Sequence, residues 1–227
     1  MSVKRLADWR GDSFSGGRIT ELSVYKGDTY KLELEGGQTF FLNCAIVADY
    51  DLCEGGEMDA ELLERLQHAD RLRKAKKRAL YLLGSRMYCY NELYKKLLPA
   101  YGEEAARAAA DAMQEYGYID DEDYAGKLAE RLIHGKHYGL QKTRWEMQTR
   151  GLDRNLIEDV LAEYTEEDID GEILHLLETK YSEKLEDPDD RRRTMAALAR
   201  RGYGWSAVKR CIERVLDGEE FPDEYEE

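Results

Sequence analysis

The sequence predicts a mainly α-helical chain of tandem three-helix repeats forming an elongated curved array, with a small antiparallel β subdomain near its N-terminus. Three observations predict it. From about residue 60 onward, apolar residues recur at helical spacing in one segment after another. Leu98, Met147 and Leu198 each stand four residues before a glycine (Gly102, Gly151, Gly202), and these glycines are 49 and 51 residues apart. A period of that size marks small units that bury their faces on one another. Upstream of residue 50 the pattern changes to alternation, the period of a half-buried strand.

Residues 1–17 are polar, with Gly11, Gly16 and Gly17, and read as a flexible arm. Residues 18–58 read as the β subdomain. Ile19 to Tyr25 precedes a turn at Gly27-Asp28, Tyr30, Leu32 and Leu34 alternate with Lys31, Glu33 and Glu35, and Gly36-Gly37 signals a hairpin. Thr39 to Val47 supplies a third strand. So small a sheet is marginal alone and must pack on something else.

Helices take over after Gly55-Gly56. Leu62, Leu66, Ala69 and Leu72 share a face that Ala75, Ala79, Leu82 and Leu83 continue, and Gly84 ends it. Further helices are expected at about 90–98, 104–116, 121–134, 140–150, 153–164, 168–181, 189–201 and 204–216. Grouped, they give a linker helix and first repeat over 59–118, a second repeat over 119–165 and a third over 166–217, with an acidic tail over 218–227. The elbow Met113–Ala125 shows the design: Gly117 ends one helix, Asp120 caps the next, and Asp121, Glu122 and Asp123 fill its first turn, where carboxylates suit the helix dipole.

The net charge of −14 conceals a pattern. Residues 69–150 carry 16 Lys and Arg against 12 Asp and Glu, while residues 1–68 are at −6 and residues 151–227 at −12. A basic middle between acidic ends bears on partners rather than on fold. No apolar run is long enough to span a bilayer and the N-terminus has no apolar signal segment, so the cytoplasm is the expected location. Cys44, Cys53, Cys89 and Cys211 form no Cys-x-x-Cys pair and are expected to be buried reduced thiols.

No phosphate loop, nucleophile elbow or zinc motif occurs, so neither catalytic residues nor a cofactor or metal is expected. The Asp120–Asp123 acids read as caps rather than a metal or acid/base cluster, and His134 and His137 as solvated helix-end residues. The cations carry more information. Lys74, Lys76, Lys77, Arg78, Arg86, Lys95, Lys96, Arg131, Arg144 and Arg150 run through the basic middle, with Tyr81, Tyr88, Tyr90, Tyr94, Tyr138 and Trp145 among them. Interleaved cations and aromatics suit a phosphate backbone or an acidic protein groove. Taken singly, each cation fits a solvated helix face; taken together they fit a binding surface.

The run from Ala79 through Gly84, Arg86, Tyr88, Tyr90 and Glu92 to Leu93, followed by Tyr116-Gly-Tyr-Ile-Asp-Asp121 and Tyr124-Ala125, resembles the RecX family of recombinase regulators. Tyr138-Gly139, Arg144 and Arg150-Gly151-Leu152 resemble its second repeat. The resemblance covers roughly 60–217, and the N-terminal β extension resembles that of Gram-positive members. Cys89 departs from the usual serine or threonine that would form a capping box with Glu92. Thr143 stands where an aliphatic residue is common, and the third repeat is the least typical.

The resemblance implies a non-catalytic regulator, working as a monomer. It would bind RecA and the single-stranded DNA of its filament, and modulate recombinase and coprotease activity, inhibition being the expected sense. The ten cations above would make the contact. The competing readings are a helical nucleic-acid-binding module acting without RecA, and a protein-only scaffold.

Overall fold

The computed structural model describes Leu6, Phe14 and residues 16–217. The acidic tail of 218–227 lies outside these residues, as does most of the expected arm. Within that arm Leu6 and Phe14 are buried, so the chain is anchored at those two positions. Among the described residues the structure is mainly helical, with a small N-terminal antiparallel sheet. It divides into two compact units: residues up to Arg86 with Leu93–Tyr116, and Met87–Glu92 with the residues from Gly117 onward.

In the first unit, β1 (Gly17–Lys26), β2 (Thr29–Leu34), β3 (Thr39–Asn43) and β4 (Glu57–Met58) form one sheet in the order β3-β2-β1-β4. The expected third strand stops four residues early. Asn43 accepts the Ala45 N–H at 3.0 Å through its side chain and starts helix α1 (Cys44–Asp49). An Asn cap thus overrides the β preference of Ile46 and Val47. The inner face of the sheet buries Leu32, Leu34, Phe40 and Leu42 with Leu63 and Leu66 of α2 (Ala60–Leu83). This supplies the packing a small sheet requires. The buried face of α2 is one residue out of phase with expectation: Leu63, not Leu62, is in the core, and Ala69 and Leu72 are only half-buried.

Farther along, α2 packs on α4 (Glu103–Glu115). It does so with Ala75 and Ala79, while α4 buries Ala105, Ala106, Ala109, Ala110, Ala112 and Met113. Tyr116, expected on that face, is 60% exposed. Helix α3 (Tyr90–Tyr101) lies between them in sequence and buries Leu93 and Leu97.

The second unit repeats a plan. Helix α5 (Asp121–Glu130) ends in a π turn at Arg131–Gly135, and α8 (Glu166–Leu176) ends in another at Leu177–Tyr181. Helices α6 (Leu140–Arg150) and α9 (Pro188–Arg200) follow, then α7 (Arg154–Ala162) and α10 (Trp205–Leu216). One core gathers Leu128, Leu132, Ile133, Met147, Ile157, Ile173, Leu176, Leu198, Val208 and Ile212.

The glycine period has a structural counterpart here. Gly151 (φ 88°) donates to the Gln148 carbonyl while Leu152 N–H reaches Met147 O. Gly202 (φ 92°) donates to Ala199 O while Tyr203 N–H reaches Leu198 O. Both are Schellman ends, which need a left-handed residue. Gly102 differs: at φ 78° and ψ 169° it is extended and leads directly into α4.

The α6 and α9 repeats meet at a backbone junction. Gly139 N–H donates to Arg201 O at 2.9 Å and Gln141 N–H to Gly202 O at 3.2 Å. A Cβ on Gly139 would lie 2.4 Å from the Gly202 carbonyl, and one on Gly202 2.4 Å from Lys142 N. Neither neighbour is a side-chain tip that could swing away. Replacing either glycine by alanine should therefore cost about 3 kcal/mol or prevent folding, read from the urea midpoint. Gly117→Ala meets nothing within 4 Å and bears only its φ of 73°, so it should cost about 1 kcal/mol in the same titration.

Candidate nucleic-acid and protein interface

Burial of Asp70, Ala75, Ala79 and Leu82 on one side of α2 leaves the opposite side to solvent. Lys74, Lys77, Arg78 and Tyr81 stand there at i, i+3, i+4 and i+7, all exposed, with Lys76 half-buried beside them. The Arg78 guanidinium lies 4.9 Å from the Tyr81 ring centroid, a cation–π contact that keeps both groups on the outer face. The Lys74 ammonium is tied to the carboxylate of Asp70, which is 7% exposed and needs that partner. Arg86 follows α2 and is exposed, as are Lys95 and Lys96 on α3.

In the second unit Arg131 is exposed at the start of its π turn. Arg144 and Arg150 are engaged internally. Arg144 forks onto Glu158 with contacts of 2.7 and 2.8 Å, which holds Glu158 below the usual carboxylate range. Arg150 donates from Nη1 to the Glu146 carboxylate and carbonyl. Lys142 lies 3.9 Å and Lys136 5.7 Å from the Tyr138 ring, a second pairing of lysine with an aromatic. The ten cations are thus of two kinds. Lys74, Arg144 and Arg150 neutralise carboxylates of the fold; Lys77, Arg78, Arg86, Lys95, Lys96 and Arg131 present charge to solvent.

The acids of the elbow divide in the same way. Asp120 caps α5 as expected, accepting N–H groups of Glu122 and Asp123 at 3.0 Å. Asp121 instead is half-buried and accepts Tyr90 N–H at 2.8 Å, and burial raises its pKa. It takes the role that the Cys89 position leaves vacant at the start of α3. Cys89 is fully buried, donates to Arg150 O at 3.5 Å, and has its thiol pushed up to about 11 by burial. Glu92 accepts the Tyr124 hydroxyl at 2.9 Å.

His134 and His137 are not solvated helix ends. Their Nδ1 atoms lie 2.7 and 2.6 Å from the two carboxylate oxygens of Glu172, which is 6% exposed, and the His137 ring stacks 5.0 Å from His175. Burial of Glu172 on α8 calls for two donors, and these histidines supply them across a sequence gap that no local pattern reveals. The thiols also need correction. Cys89 and Cys211 are buried, but Cys44 and Cys53 are exposed. Among the described residues, no three His, Cys, Asp or Glu side chains come together in a way that could hold a metal ion. Among them, too, no helix is long and apolar enough to cross a membrane.

Residues 120–161, helices α5 to α7, match the family model described as RecX, second three-helix domain. Relatives called regulatory protein RecX align along most of the chain. The one from Clostridium botulinum (strain Alaska E43 / Type E3) is 24% identical, over 89% of this chain and 98% of its own. That of Leuconostoc mesenteroides subsp. mesenteroides is 26% identical, over 88% and 76%, and that of Bacillus subtilis (strain 168) 22% identical, over 87% and 76%. A crystal structure of regulatory protein RecX shares the fold, with a TM-score of 0.70 and 21% identity over 86% of this chain and 98% of the other. That of RecX from Lactobacillus salivarius gives 0.60 and 19%, over 65% and 98%. The resemblance to the RecX family holds over most of the chain.

Two outcomes follow from the local chemistry. In native protein at pH 8, a thiol reagent such as DTNB should titrate Cys44 and Cys53 at once. It should leave Cys89 and Cys211, with pKa values pushed to about 11 and about 12, until denaturant is added. Asp121→Ala should cost about 1–2 kcal/mol in a thermal melt, because Tyr90 N–H loses its acceptor, whereas Asp121→Asn keeps an oxygen there and should cost less.

Proposed function

We propose that this RecX-like chain is a non-catalytic regulatory protein that binds RecA and the single-stranded DNA of its filament, and restrains recombinase and coprotease activity. The regulatory part follows the name its relatives carry along nearly the whole alignment. The nucleic-acid part rests on one observation: the outer face of α2 presents Lys77, Arg78 and Tyr81 in a single stripe, in a chain whose net charge is −14. An acidic protein gains nothing in solubility from concentrating cations on one helix face. A polyanion does gain a place to bind, by release of its counterions. Lys95, Lys96 and Arg86 in the same unit, and Arg131 in the other, extend the set of solvent-facing cations.

The role needs shape and charge rather than a reacting group, and its setting would be the cytoplasm, where filaments assemble during recombination and DNA repair. Lys74, Arg144 and Arg150 act chiefly by holding their helices in place, since each already answers a carboxylate.

The test reverses Lys77, Arg78, Lys95 and Lys96 to glutamate together and measures RecA's DNA-dependent ATP hydrolysis against added protein. The wild type should depress the rate. The folded variant should need at least about tenfold more protein for the same effect, and the wild-type effect itself should weaken steeply with salt. Equal potency of variant and wild type would refute the assignment.

A further inference from the structure

A groove in the second unit, between α6, α8 and α10, is used by none of the cations above. It encloses about 320 Å³ over an apolar floor of Leu140, Ile169 and Ala207. Two forked ion pairs flank it: Arg144 on Glu158, and Arg210 on Asp170 with both contacts at 2.8 Å. Each guanidinium is held in one orientation, so the walls are set before anything binds.

Two further features mark this face. Trp145 follows the lining residue Arg144, and Trp205 stands between the lining residues Gly204 and Ser206. They are 59% and 55% exposed. Tryptophan is highly buried on average, and exposed aromatics beside a preformed pocket are what protein interfaces use as anchors. The surrounding charge is acidic. Residues 153–170 carry eight Asp and Glu against one Arg, and Glu158, Glu163, Glu166 and Glu167 are exposed.

We propose that this groove docks a protein segment that offers an apolar side chain flanked by lysine or arginine, with Trp145 and Trp205 closing over it. The acidic rim selects for a basic segment and repels nucleic acid, so this face complements the cationic stripe of α2 rather than extending it. The inference rests on the reading of the chain as a RecA-binding regulator, and takes RecA as the source of the segment.

The experiment measures binding to a bacterial RecA filament assembled on oligo-dT, and separately to oligo-dT alone. It compares wild type, the Trp145→Ala/Trp205→Ala double variant and the Glu163→Lys/Glu167→Lys double variant, each checked for fold by circular dichroism. Both variants should bind the filament about tenfold more weakly or worse, with binding to oligo-dT unchanged for the tryptophan pair. Full filament binding by the tryptophan variant overturns the groove while leaving the functional reading standing. Filament binding strengthened by the lysine pair overturns the basic occupant. Loss of oligo-dT binding by the tryptophan variant makes the face a base-stacking platform and overturns the proposal. A wild type that does not bind the filament overturns the functional reading, and the groove assignment with it.

Discussion

The second unit depends on a contact in which no side chain takes part. The start of α6 has no side-chain cap, because Gly139 stands at its N-cap. Its first amides instead meet the last carbonyls around the end of α9, through Gly139 to Arg201 and Gln141 to Gly202. The electropositive end of one helix thus abuts the electronegative end of another, and orphan donors and acceptors satisfy each other. Arg201 completes the seal by donating to the carbonyls of Lys136 and His137, at 3.1 and 3.3 Å. Such a junction tolerates no Cβ on either glycine, which fixes the approach of the two repeats more tightly than apolar packing would. Much else is placed by it. Gly202 and Tyr203 line the groove, and the buried Glu172 on α8 receives the two histidines that lead into Gly139.

Helix positions were legible in the sequence because their stops are chemical. Gly117, Gly151 and Gly202 adopt the positive φ that only glycine takes cheaply, and Asp120, Asp153, Thr165 and Asp187 accept backbone N–H groups at their caps. The repeat was legible for the same reason, although its first glycine behaves differently. Gly102 shares the spacing without the Schellman geometry, so the period marks a common place in the unit rather than one conformation. The α1 helix escaped notice because Ile46 and Val47 favour a strand, and the deciding contact is a single Asn43 oxygen.

The site was less legible, for a reason that particular pairs make plain. Arg144 and Glu158 are 14 residues apart, Tyr90 and Asp121 are 31 apart, and His134 and Glu172 are 38 apart. No periodicity links such partners. A count of charges therefore registers Arg144 and Arg150 as equal to Lys77 or Lys96, while folding spends the first two on carboxylates and leaves the others facing water. The basic middle of the chain is real, but its outward part is smaller than the composition implies and is concentrated on α2 and α3. Trp205 was overlooked altogether, since a lone aromatic at a helix start reads as core until its exposure is known.

The same accounting separates two kinds of recognition surface. On α2 the charge is unmatched by nearby carboxylates at Lys77 and Arg78 and lies along one helix face, so its attraction for a polyanion is long-ranged and falls as ions screen it. Around the α6–α8–α10 groove the cations are already forked onto acids, so their fields largely cancel beyond the contact, and recognition there must come from shape, apolar area and the acidic rim. A surface of the first kind governs how fast a partner is found. A surface of the second kind governs how long it is kept, since breaking apolar and aromatic contacts sets the dissociation rate. A regulator acting on a nucleoprotein filament has use for both, and the buried partners of Arg144 and Arg210 explain why one acidic chain can carry them without either cancelling the other.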